Sequence, residues 1–380
     1  MARGFNLVVA LSRDRDLGEQ RPLTAAVLKD ADYAAWTRRH SGGDVPYELP
    51  YGLEALLSDG IRLVWSDADH HPPWTTGPLR RLRDTVEHRA GVRVLNPLLS
   101  LGKVARADVT LTLLEDSGLF LARRRRRRLW QRATSPLVIL SCWLAEEARH
   151  FDPQTLAWHR EALRGADAVL FWSSNQEQIF SELLGVPRRR LHFVPFGTDH
   201  RFFHPRHAGD DGYILSAGQD RGRDYRVLLE AAAGLRMPVK LVCKPENVGG
   251  MALPPNVELV GQVPHHVYRD LMARARAVVV PTDAPAYPSG QSVMLEAMAL
   301  GKCCIVTASP AMRDYVEDSE TALTVPPHDA AALRAAIDRA ASDEGLRDQL
   351  GHMARRLVEE RFNHEAMWRV IGSALRAAAS

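Results

Sequence analysis

The stretch "AVVVPTDAPAYPSGQSVMLEAMALGKCCIVTA", Ala277 to Ala308, decides the fold. AVVVPT and CCIVTA are short β-branched apolar runs of strand character. Pro281, Pro285, Pro288 and Gly290 mark a turn-rich loop between them, and a helical run opens near Gln291. That run is apolar on every side except at Glu296, whose neighbours are Met294, Leu295, Ala297, Met298 and Ala299. A helix of this kind is normally buried, and a buried carboxylate is costly without a partner. Glu296 therefore has either a structural donor or a ligand hydroxyl waiting for it.

Working outward, the same alternation of strand-like and helical runs spans the chain and predicts α/β architecture with parallel sheets. The first half offers the strands FNLVVAL, IRLVWS, DVTLTLL, PLVILSCW, AVLFWSS and LHFVPF; the second offers GYILSAG, VKLVCK, VELVG, AVVVPT, CCIVTA and ALTV. Residues 197–212, rich in Gly, Pro and polar side chains, read as a linker between two Rossmann-like domains, 1–196 and 213–364. A final helix at about 365–380 is expected to pack back onto the first domain. Two such halves enclose a ligand cleft at the carboxyl ends of their strands.

Composition narrows the function. The 380 residues are 46% hydrophobic and 25% charged, and the net charge of +3 argues against a dedicated nucleic-acid binder. Arginine far outnumbers lysine, which suits a GC-rich genome. Cys142, Cys243, Cys303 and Cys304 lack CxxC spacing, so neither a disulfide framework nor a zinc site is expected. With no signal-like N-terminus and no apolar run of membrane-spanning length, a cytoplasmic protein is expected.

Two constellations point to chemistry. The glycine-flexed loop feeding the helix at Gln291 offers free backbone N–H groups and a positive dipole end to a phosphate, and Glu296, one to two turns in, could reach a sugar hydroxyl beside it. In SAGQDRGRDYRVLLEAA, Ser216 to Ala232, a strand ends at Gly218 and a polar loop carries Arg221 and Arg223. These arginines could grip phosphate oxygens, or simply pair with Asp220 and Asp224 in solvent. At the end of DVTLTLL, Glu115, Asp116 and Ser117 could contact an acceptor or cap the following helix.

Taken in order, VPFGTDHRFF, SAGQDRGRDYRVLLEA, VELVGQV, AVVVPT and SGQSVMLEAMALGKCCIVT resemble the donor-binding half of family 4 glycosyltransferases of the GT-B fold. TALTVPPHDAAALRAAI and RRLVEERFNHEAM extend the resemblance, which covers Val194 to Met367. It implies a retaining transferase that moves a hexose-type sugar from a nucleotide-diphosphate sugar, UDP favoured, to a hydroxyl of a natural product, glycolipid or cell-envelope glycan. Front-face displacement would need neither metal nor other cofactor.

The resemblance also assigns residues. The second glutamate of the family's paired motif falls on Glu296 and would bond the ribose; the first falls on Pro288 and is missing. Ser289, Gly290, Gln291 and Ser292 are left to face the sugar and distal phosphate. The phosphate-binding lysine falls on Arg223 and its partner arginine on Gln219, with Arg221 the nearest substitute. The segment Gly261 to Val263 would read the base. Cys142 stands where a histidine is common, and Trp143 would line the acceptor side. The glycine pair after the first strand is reduced to Gly18. An epimerase or phosphorylase on the same fold, or a non-catalytic nucleotide-sugar binder, is the alternative.

The run Arg123 to Arg128, flanked by Phe120, Leu121, Leu129 and Trp130, is too basic for a core helix. It reads as a solvated segment, or as a foot for an anionic membrane or an anionic acceptor. The pairs His70/His71 and His265/His266 have no third residue at metal spacing, so no metal site is expected.

Overall fold

Uninterrupted Val, Ile, Leu and Ala runs suit strands covered on both faces, and the computed structural model of the chain builds two parallel sheets from them. It describes residues 21–29, 33–65, 97–98, 100–206 and 209–380. FNLVVAL, Gly18 and His70/His71 lie outside the described residues.

The first sheet holds β1 (Thr24–Leu28), β2 (Arg62–Trp65), β3 (Val109–Leu113), β4 (Leu137–Leu140), β5 (Ala168–Phe171) and β6 (Leu191–Phe193), in the order β2-β1-β3-β4-β5-β6. Its strand β1, TAAVL, is fully buried and pairs with both β2 and β3. It is absent from the strands expected from sequence. Five residues with two alanines carry little β signal, and position in the sheet decides its conformation.

The second sheet holds β7 (Ile214–Ala217), β8 (Val239–Val242), β9 (Val257–Leu259), β10 (Ala277–Val280), β11 (Cys304–Thr307) and β12 (Leu323–Val325). Its order is β12-β11-β10-β7-β8-β9, so strand order reverses between β7 and β10. Beyond their carboxyl ends lies the crevice where open α/β sheets take ligands.

The chain crosses between the sheets twice, and the crossings are bonded together. Thr198 N–H donates to the Phe362 carbonyl at 2.9 Å, and His364 N–H donates to the Thr198 carbonyl at 3.1 Å. The helix Glu344–Glu360 buries Ala354 and Val358 in the core beneath the second sheet. After Asn363 caps it, the helix His364–Ala379 lays Met367, Trp368, Ile371 and Leu375 into the core of the first. Trp368 Nε1–H also donates to the Tyr51 carbonyl at 2.9 Å.

The arginine run departs from the sequence expectation. The helix Glu115–Arg125 starts at the carboxyl end of β3 and finishes at the opposite edge of the sheet. There Arg125, 6% exposed, turns inward and is structural. It donates to the carbonyls of Gly165, Thr134 and Ser135 and bonds Asp167 at 2.7 Å. Arg126 pairs with Glu161 at 2.7 Å, and Arg123 and Arg124 lie over the rings of Trp158 and Trp130. Arg127, Arg128 and Arg132 remain exposed around Leu129, which is 78% exposed. This surface follows the C-terminal end of the helix, toward the opposite edge of the sheet from the carboxyl end of β3.

Candidate active site

Two loops meet at the crevice, one after β7 and one after β10. Their backbones are stitched by Asp224 N–H to the Pro281 carbonyl at 3.1 Å and Asp283 N–H to the Gly222 carbonyl at 3.0 Å. Gly222 must be glycine, since a Cβ there would come within 2.8 Å of the Tyr287 hydroxyl and 3.0 Å of Pro285. Asp224 ends the first loop by capping the helix Tyr225–Ala232, its Oδ1 accepting from Val227 N–H at 3.0 Å.

Arg223 is 7% exposed. Its guanidinium sits 5.8 Å from the centre of the Tyr225 ring, and Nη2 donates to the Ala217 carbonyl. Nε and Nη1 have no acceptor among the described residues. A buried cation with two vacant donors is unfavourable unless an anion completes it.

The group beside it is the start of the helix Gln291–Ala299. Gly290 precedes that helix at φ 78°, and a Cβ on it would stand 2.2 Å from Arg223 Nη1, so only glycine lets the arginine approach. Among the described residues no side chain caps this helix. Among the described residues the N–H groups of Ser292 and Val293 find no acceptor, and the buried Gln291 Oε1 finds no donor. Vacant helix N–H groups beside a vacant guanidinium suit an anion, and an unsatisfied amide oxygen at their rim suits a hydroxyl.

Glu296 lies one turn further along, half-buried, and the opening question has a partial answer. Its Oε2 accepts from the Tyr268 hydroxyl at 2.7 Å, whereas Oε1 has no hydrogen bond among the described residues. Burial pushes its carboxyl up to about 7, and the single tyrosine bond offsets only part of that cost. Tyr268 feels both Glu296 and Arg223, which ties the acid to the anion site. From the first sheet's side, Tyr47 comes close enough to Glu296 for the charge to help hold its phenol proton, after burial itself.

Asp220 joins the two halves of the cleft. Its Oδ1 accepts from Ser289 Oγ at 2.6 Å, Tyr287 Oη at 2.7 Å and Gly222 N–H at 2.9 Å. Oδ2 accepts from the Trp143 indole at 3.2 Å, across the cleft. Burial opposes ionisation, but these donors prevail and hold the carboxyl below its ordinary range. Two more bonds cross nearby: Arg221 to Glu147 at 2.6 Å, and Ala286 N–H to Glu146 at 2.7 Å. Arg221 thus pairs with a carboxylate of the opposite domain rather than with Asp220 or Asp224.

On that opposite side Glu115 is 3% exposed, and its carboxylate is already engaged. Oε1 accepts from the N–H groups of Trp143 and Leu144 at 2.8 and 2.7 Å, and Oε2 from Cys142 N–H at 3.0 Å. It fixes the turn into the helix Leu144–Ala148 and is not placed to hold an acceptor, a correction to its expected role. Asp116 beside it is exposed. Burial, with the charges of Glu115 and Asp220 adding, pushes the Cys142 thiol well up, so it stays protonated and is no nucleophile.

The remaining sequence candidates lie further out. Gly218, at φ 127°, ends β7 and gives its carbonyl to the Tyr225 hydroxyl at 2.7 Å. Gln219 is exposed, its carbonyl taken by Asn247 at 3.2 Å. Gly261 turns the chain at φ 82° beyond β9, and Val263 packs against the core cluster beside Tyr268. His266 lies 3.4 Å from Asp44 of the first domain. Asp224, Asp283 and His328 bring donor atoms within 4.8 Å of one another, with Asp224 already capping a helix.

Tyr268, Tyr47 and Glu147 went unread in the sequence, and Asp220 was read only as a solvent partner for the loop arginines. Each acts through a partner at least 28 residues away, so no local spacing announces it.

Residues 248–357 match the family described as Glycosyl transferases group 1. Over 121 residues the chain is 31% identical to the capsular polysaccharide biosynthesis glycosyltransferase CapM of Staphylococcus aureus, covering 31% of this chain and 30% of that protein. The chain thus matches less than a third of that relative's length. Among solved structures, sucrose-phosphate synthase from Thermosynechococcus elongatus superposes with TM-score 0.70 at 23% identity, over 94% of this chain and all of that one. HepE of Anabaena, in complex with UDP and glucose, superposes with TM-score 0.65 at 14% identity, over 93% of this chain and all of that one. Residues 248–357 thus resemble group 1 glycosyl transferases, and the two six-stranded parallel sheets share the GT-B fold of these solved structures.

Proposed function

We propose that this protein is a retaining glycosyltransferase of the family 4 type, moving a hexose-type sugar from a UDP-sugar to an acceptor hydroxyl. The observation that carries the reading is the vacancy shared by Arg223 Nε and Nη1 and the uncapped helix at Gly290. Its charge suits a diphosphate, with Glu296 Oε1, unbonded among the described residues, available to ribose hydroxyls at one end. UDP is favoured because HepE, similar in fold, has been solved with UDP and with UDP-glucose.

In this reading Arg223, Arg221 and the helix N-terminus stabilise the charge that grows on the leaving diphosphate. Arg221 reaches it by exchanging Glu147 for a phosphate oxygen. The leaving phosphate takes the acceptor proton, and no metal or other cofactor is required. The acceptor enters from the side of Trp143 and Asp116. Among the described residues no helix is long and apolar enough to cross a membrane. We place the protein in the cytoplasm, seated on an anionic inner membrane face through Arg127, Arg128, Arg132 and Leu129.

The test is thermal stability against UDP-, GDP- and ADP-sugars, for wild type and Glu296→Ala. At a ligand concentration about 100 times Kd, binding stabilises by about 2.7 kcal/mol. UDP-sugars are expected to shift the wild type and not the variant. No shift with any of them, or an equal shift in the variant, overturns the donor site.

A further inference from the structure

Pro288 brings no polar group to the loop that faces the cleft, yet its two neighbours share one carboxylate. The Tyr287 hydroxyl and the Ser289 hydroxyl both donate to Asp220 Oδ1, at 2.7 and 2.6 Å. Asp220 arrives from the β7 loop, and its charge is thereby delivered beside position 288. Because Gly222 N–H is the third donor to Oδ1, that oxygen is saturated, and the carboxylate is fixed in one orientation. Its other oxygen, Oδ2, points to the opposite domain and holds a single hydrogen bond among the described residues, the 3.2 Å contact from Trp143 Nε1.

We infer that Asp220 Oδ2 is the acceptor for a hydroxyl of the transferred sugar, and so sets which sugars the donor site holds. The inference rests on the donor reading above and adds the residue that reads the sugar. An ionised carboxylate so close to an anion site would repel a bare diphosphate. It gains only if the group attached to that diphosphate carries hydroxyl donors, which a sugar does and an alkyl or acyl phosphate does not. Oδ2 keeps a free lone-pair direction alongside Trp143, so the hydroxyl joins or displaces the indole without disturbing Oδ1. Gln291 Oε1, buried and without a donor on the next helix, offers a second acceptor to the same ring. Two fixed acceptors give discrimination between sugar epimers, because an epimer that misplaces one hydroxyl leaves a buried acceptor unpaired.

The test compares, by calorimetric titration, the affinities of UDP and of a panel comprising UDP-glucose, UDP-galactose and UDP-N-acetylglucosamine. In the wild type one sugar is expected to bind more tightly than UDP. In Asp220→Asn, where the amide oxygen can keep the Tyr287, Ser289 and Gly222 bonds, that advantage is expected to fall about tenfold while UDP itself binds as well or better. Trp143→Phe removes the competing N–H and is expected to keep the advantage, which separates sugar recognition from interdomain contact. Equal weakening of UDP and UDP-sugar in Asp220→Asn, or an unchanged advantage, overturns the inference while leaving the donor site standing. A wild type that binds neither UDP nor any UDP-sugar overturns the donor reading as well.

Discussion

Two helix N-termini meet at the cleft, one from each domain, and they are finished in opposite ways. The turn into the helix Leu144–Ala148 is closed by the protein itself, with Glu115 taking the N–H groups of Cys142, Trp143 and Leu144. The helix Gln291–Ala299 is left open, preceded by glycine, uncapped, and faced by an arginine with two idle donors. The first shows what an anion does for a helix start when evolution builds it in; in the donor reading proposed above, the second reserves that place for a ligand. A structural terminus is complete in the unliganded chain, whereas a binding terminus is complete only with its ligand.

Mutations should treat the two differently. Glu115→Ala strands three N–H groups, that of Leu144 buried and those of Cys142 and Trp143 half-buried, and is expected to cost about 3 kcal/mol of stability by urea unfolding. A loss below about 1 kcal/mol would dissolve the contrast. Arg223→Met removes a buried charge that no side chain or carbonyl among the described residues satisfies fully, so stability should hold or rise, while UDP affinity falls about 100-fold in titration. Loss of stability with unchanged UDP binding would turn the open terminus into a structural one.

Glu296 gives a pH-dependent form of the test. Its folded carboxyl titrates at about 7, above the 4.5 of an ordinary glutamate. The folded state therefore holds the proton more tightly than the unfolded state, and the wild type loses stability as pH rises from about 4.5 through 7. Glu296→Gln should be nearly matched to wild type near pH 4.5 and more stable by about 3 kcal/mol at pH 8. Thermal melts at both values check the sign. The smallest stability effect belongs to Arg127→Glu with Arg128→Glu, expected within about 0.5 kcal/mol of wild type while binding to phosphatidylglycerol vesicles is lost. Unchanged vesicle binding would remove the membrane from the account.

The sequence announced the C-terminal half well because strands covered on both faces read as plain apolar runs, and because Gly290 and the lone acid Glu296 stand out against them. It announced β1 poorly, since TAAVL owes its conformation to its neighbours. Arg125 was misread for a related reason: a run of identical residues hides which one faces inward, and only the carbonyls of Thr134, Ser135 and Gly165 single it out. Glu115, Asp220 and Tyr268 are legible only once distant loops are brought together. Local pattern reports the elements, while the roles of polar residues depend on which loops share a sheet edge.

The most direct measurement is a paired titration of UDP and uridine against wild type and Arg223→Met. The account predicts that UDP binds the wild type about 100-fold more tightly than uridine and that Arg223→Met erases most of this difference while uridine binding stays the same. Equal binding of UDP and uridine to the wild type, or an intact difference in Arg223→Met, would contradict it.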